Sequence, residues 1–138
     1  METKQYLGQI KRLDVKIENK LAEIHQLRTM AESITAPIDK ERVSSSGDKD
    51  KIGCIMARVY DMECQIDEMV DKRFEIVTQI ESMEDVSMYD ILAKIYILGG
   101  DLKVIAIEKG VTYRHIFRLH DKAVKEFEKK YSKFIKMS

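Results

Sequence analysis

Apolar residues recur at heptad spacing through the first third of the chain. Ile10, Ile17, Ile24 and Ala31 take one core position, and Tyr6, Leu13, Leu27 and Ile34 take the other. Lys20 interrupts the second series, with Leu21 beside it to cover the gap. The remaining positions are mostly Lys, Glu, Gln and Arg, which favour helix, so pattern and propensity both predict a helix from Thr3 to about Ser33. The heptad resumes at Ile52, with Val59, Ile66 and Ile80 in one series and Ile55, Met62, Met69, Ile76 and Met83 in the other. Arg73 breaks it, while Met56, Val70, Phe74 and Val77 widen the stripe beyond a two-stranded seam. Between the rods, residues 34–50 hold the one proline, Pro37, and a Ser44–Gly47 polar run, and predict a loop with Asp48 or Asp50 capping the second helix. Val43 is placed to pin part of that loop.

The rhythm shortens after residue 85. A helix over about 86–98 turns Ile91, Leu92, Ile95 and Leu98 inward and stops at Gly99-Gly100. Asp101 is placed to cap a second helix carrying Leu102, Ile105 and Ala106, which ends at Gly110. Thr112 is placed to cap a third, with Ile116, Leu119, Ala123, Val124 and Phe127 on its inner side. The expected fold class is therefore all-α: a long antiparallel, coiled-coil-like helical hairpin over 1–85, followed by a three-helix helix-turn-helix domain over 86–138. Pairing of the first helix with a second chain, in place of an intrachain hairpin, satisfies the same pattern. The first segment is assigned to oligomerisation or partner contact, since widened stripes suit a four-helix arrangement in a dimer.

The turn carries the candidate chemistry. Ala106 lets two helices cross closely, and Gly110 four residues later accepts a backbone angle other residues resist. Val111, Ile116 and Leu119 are expected to close the small core. Lys109 stands where an apolar residue is usual, its stem over the core and its amine in solvent. On the outward face of the third helix stand Thr112, Tyr113, Arg114, Phe117, Arg118 and Asp121, flanked by His115 and Lys122. Arg114 and Arg118 share a face one turn apart, a spacing suited to guanine edges in a major groove or to phosphates. The unpaired N–H groups at the helix start suit a phosphate. Lys103, Lys109, Lys122 and Lys125 add sequence-independent attraction to a double-stranded DNA backbone.

The charge distribution sharpens this picture. The total balances at 24 basic and 24 acidic residues, but residues 1–85 hold 13 against 18 and residues 86–138 hold 11 against 6. Cys54 and Cys64 stand ten apart with no further ligand at suitable spacing, so no metal or cofactor is expected. No phosphate-cradling glycine motif or nucleophile–base set is visible, so the chain reads as a non-enzyme. Adjacent acids such as Asp67/Glu68 read as solvated, with Glu84/Asp85 suited to capping. Without a signal-peptide core or membrane span, the expected location is cytoplasmic, on the nucleoid when DNA is bound.

The stretch YDILAKIYILGGDLKVIAIEKGVTYRHIFRLHDKAV resembles the helix-turn-helix of the last conserved region of primary sigma factors. The whole chain more closely resembles phage and prophage transcriptional regulators of the RinA and ArpU type. The segments that carry this likeness are QYLGQIKRLDVKIENKLAEIHQLR, ITAPIDKERVSSSGDKDKIG and RHIFRLHDKAV. The resemblance implies activation of phage late genes, with Thr112, Tyr113, Arg114, Phe117 and Arg118 reading DNA. It departs from the family form in YILGGDLKVIA and at Lys109. Expected partners are double-stranded DNA, a second copy of the chain in a dimer, and RNA polymerase, with no membrane. The alternatives are a packaging protein resembling a small terminase subunit, which would form a larger ring, and a helical protein-binding adaptor.

Overall fold

A computed structural model describes residues 1–35 and 46–138, and all regular structure among them is helical. The elements are α1 (Thr3–Leu7), α2 (Gln9–Thr35), α3 (Ser46–Glu81), α4 (Val86–Leu92) continuing into a π-helical turn (Ala93–Ile97), α5 (Leu102–Lys109) and α6 (Tyr113–Met137). Among the described residues, no helix is long and apolar enough to cross a membrane.

The first predicted helix is divided at Gly8 into α1 and α2, and the second begins earlier than the pattern suggested. Ser46, Gly47, Asp48 and Asp50 belong to α3, so both aspartates lie inside the helix rather than at the residue preceding it. Asp48 lies in its first turn, where a carboxylate opposes the positive end of the helix dipole. At the other end, α2 carries Ile34 and Thr35, so the expected loop 34–50 is shortened from both sides. Its remainder, including Pro37 and Val43, lies outside the described residues.

Packing divides the chain into two compact units, residues 15–71 and residues 1–14 with 72–138, rather than at the expected 85/86 boundary. The first unit holds the middle of the hairpin. Ile24, Val59, Met62 and Ile66 are buried there, with Ile17, Leu27 and Ile55 packed around them. Arg28 bonds Glu63 at 2.5 Å and Arg58 bonds Glu23 at 3.3 Å on its solvent-facing sides. Exposed pairs of this kind contribute little stability, so the buried stripe holds the helices together. Leu21 is exposed and does not cover the gap at Lys20.

The second unit explains the mixed origin of the head's core. Two short helices and one long one enclose too little apolar volume alone. Tyr6, Leu7 and Ile10 from the chain start and Ile76 and Ile80 from the end of α3 complete it. They pack with Met88, Ile91, Leu92, Ile105, Ala106, Ile116, Ala123, Val124 and Phe127. The Tyr6 hydroxyl donates to Gln79 Oε1 at 2.6 Å, and its ring lies 6.0 Å from that of Phe127. Arg73, the break in the second heptad, donates to Asp14 Oδ1 at 2.5 Å, so the charge within the stripe has a partner.

The capping expectations hold for the short helices. Asp85 Oδ1 accepts from Ser87 N at 2.9 Å and Met88 N at 3.3 Å. Asp101 Oδ1 accepts from Lys103 N at 2.9 Å. The π turn, however, changes the helix phase. Its wider turn carries the chain past the expected inward position, leaving Leu98 75% exposed. The Gly100 N–H closes the turn onto the Lys94 carbonyl at 2.8 Å, and a Cβ on Gly100 would meet that oxygen at 2.8 Å. Only glycine fits without displacing the backbone.

Candidate nucleic-acid interface

The turn between α5 and α6 is built from three residues with distinct roles. Gly110 takes φ 67°, in the left-handed region. Its N–H donates to the Ile107 carbonyl at 3.1 Å and the Val111 N–H to the Ala106 carbonyl at 3.0 Å. These bonds satisfy the last carbonyls of α5. Thr112 is extended, and its Oγ1 accepts from His115 N at 3.1 Å to cap α6. Val111 remains 39% exposed, so it does not seal the core as expected; Ala106 and Ile116 are buried there.

The geometry of α6 separates its faces. Ile116, Ala123, Val124 and Phe127 are buried, and Leu119 is partly buried against the same core. His120 is also buried, its Nε2 2.8 Å from the Tyr96 hydroxyl on the π turn and the two rings stacked at 5.6 Å. Burial, reinforced by Lys4, lowers the His120 pKa, with Asp121 opposing the shift. Burial pushes the Tyr96 phenol up to about 12. The hydrogen-bonded, stacked pair thus ties the middle of α6 to the π turn.

Thr112, Tyr113, Arg114, His115, Phe117, Arg118 and Lys122 are exposed on the other side. Arg114, Arg118 and Lys122 make no side-chain hydrogen bond or ion pair among the described residues. Tyr113 and Phe117, each 47% exposed, lie with ring centroids 6.3 Å apart. The structure therefore brings the front of the predicted face together over two helical turns.

The flanking positions differ from one another. Lys103 is exposed beside the start of α5. Lys109 is exposed, and its amine is held by a carboxylate: it bonds Asp90 Oδ2, which Lys94 also contacts at 3.1 Å. The Lys109 bond, followed by Lys94, lowers the Asp90 pKa against the opposing effect of burial. Asp121 and Lys125 pair at 3.2 Å across one turn of α6. Lys109 and Lys125 are thus already paired with carboxylates, unlike the front arginines. The Asp90–Lys94 spacing was readable as a helical ion pair, but nothing local signalled that Lys109 would join it.

Among the described residues, no group of three or more His, Cys, Asp or Glu side chains is arranged to hold a metal ion. Cys54 and Cys64 are free and exposed. No protein family, curated protein or solved structure matches this chain.

Proposed function

We propose that this protein is a sequence-specific double-stranded DNA-binding transcriptional regulator of the phage or prophage type suggested by its resemblance to RinA and ArpU proteins. In this reading α6 enters the major groove at its N-terminal end. Arg114 and Arg118 donate to guanine O6 and N7, while the start of the helix meets a phosphate. Lys103 and Lys122 supply sequence-independent attraction to the backbone, making affinity fall with salt. The protein acts as a dimer in the host cytoplasm, associated with the nucleoid when bound, and activates late genes through contact with RNA polymerase.

The observation that carries the reading is a pair of arginines without a side-chain partner among the described residues, one turn apart, at the front of a capped helix whose opposite face is buried. Each bidentate guanine contact contributes about 1–3 kcal/mol of discrimination. Replacing both arginines by alanine is therefore expected to lower affinity for a selected site by at least about thirtyfold. Helix content and chain number should remain unchanged, because neither side chain holds the fold together. The test is selection of bound fragments from random and prophage DNA, combined with solution mass and binding measurements on R114A/R118A. Equal affinity of that variant for the selected site overturns the assignment of the reading face.

A further inference from the structure

We propose that Phe117, buttressed by Tyr113, recognises the C5-methyl group of a thymine beside the guanines contacted by Arg114 and Arg118; this inference rests on the DNA-binding reading above. The two rings occupy the first two turns of α6, on the same front as the arginines. Each is about half exposed, although Ile116 and Ala123 on the opposite side are fully buried. Phe117 thus presents an apolar surface alongside two arginines that have no side-chain partner among the described residues. Tyr113, one turn earlier and 6.3 Å away by ring centroid, supports it from the helix start.

The major groove narrows the choice of ligand. Its base edges expose carbonyl oxygens, ring nitrogens and amino groups, with the thymine methyl as their apolar group. A phenyl ring pressed onto polar edges removes their water without returning hydrogen bonds. Against a methyl group, the same ring buries apolar surface on both sides. The arrangement of residues 114, 117 and 118 consequently favours a site that combines guanine with thymine over one composed only of G·C pairs. The chemistry recognised is a pyrimidine C5-methyl group, which 5-methylcytosine also carries.

The experiment uses the full-length protein and duplexes of its selected site in which each thymine is replaced in turn by uracil. That exchange removes only the methyl group. Wild-type protein should lose about fourfold in affinity at one or two thymines close to the contacted guanines, the scale expected for one buried methyl group. F117A should bind the thymine and uracil forms alike, whereas F117L should keep the distinction. At the same step, a 5-methylcytosine·guanine pair should bind more tightly than unmodified cytosine·guanine, separating the methyl group from the polar edge. A flat uracil series with wild-type protein, or undiminished discrimination by F117A, overturns the inference. If F117A fails to fold, the wild-type series and F117L still decide it. Sequence-specific, arginine-dependent binding with a flat series rejects only the methyl contact; absence of sequence preference rejects the DNA-reading function and this inference together.

Discussion

Thr112 separates the stability of the reading helix from its proposed approach to phosphate. Its Oγ1 accepts from His115 N at 3.1 Å, satisfying one of the donors at the start of α6. Replacing it with alanine removes that acceptor and should cost about 1 kcal/mol. For a domain of about 60–100 residues, this corresponds to a fall of roughly 4–8 °C in Tm. Ordering the loosened turn on DNA should weaken binding by no more than about fivefold. T112S retains the acceptor and should leave both measurements near wild type. T112D also caps the helix, and its charge complements the dipole by about 0.3–1 kcal/mol, so stability should hold or rise. Its carboxylate would nevertheless face phosphate. Affinity should fall by about tenfold or more at low salt, with the loss shrinking as screening increases. Thermal melts and fluorescence anisotropy titrations at two salt concentrations distinguish these effects. Wild-type binding by a stably folded T112D at low salt would refute the placement of this helix start beside the DNA backbone.

Asp90 and His120 provide two further tests. D90N removes the carboxylate that holds Lys94 and Lys109, and should cost about 0.5–1 kcal/mol given their partial exposure. It should also free Lys109, increasing affinity for unselected duplex at low salt and steepening the log–log salt dependence by up to about one; an unchanged slope would show that Lys109 lies away from DNA. His120 has a lowered pKa in the folded chain, so the unfolded state takes up the proton first as pH falls. Its contribution is intact above the ordinary histidine range and is lost progressively below pH 6.5 until the lower folded pKa is passed. The difference in Tm between wild type and H120Q should narrow over that interval, and a constant difference would refute the linkage.

The parts of the head legible in sequence are those governed by adjacent residues. Asp85, Asp101, Gly110 and Thr112 each act within a few positions of a helix end, and each performs the expected local role. Leu98 was misread because a regular helical period cannot reveal a π turn, which changes the phase of all later positions. The contributions of Tyr6 and Ile80 were also hidden, since sequence spacing does not reveal which hairpin residues enter the head's core. Arg73 and Lys109 made the same point through charge. Each looked like a mismatch in its own helix and found a carboxylate on another element: Asp14 in one case and Asp90 in the other.

Such pairings, within a helix and between helices, change the meaning of the basic C-terminal third. Counting lysines treats the whole region as a uniform attractant for an anion, but the structure does not. Lys94 and Lys109 meet Asp90, Lys125 meets Asp121, and Lys129 meets Glu126 at 3.6 Å. Lys130 donates to the Ser82 carbonyl at 2.7 Å. Arg114 and Arg118, by contrast, have no side-chain partner among the described residues and adjoin two half-exposed aromatic residues in sequence. A helix selected only for solubility needs neither feature. Polar lysines and glutamates would suffice, and exposed rings work against it. The conjunction of free planar donors and apolar surface on a capped helix fits an anionic, edge-patterned groove better than a featureless charged surface. It makes the first two turns of α6, rather than the net charge of the domain, the feature on which recognition should depend.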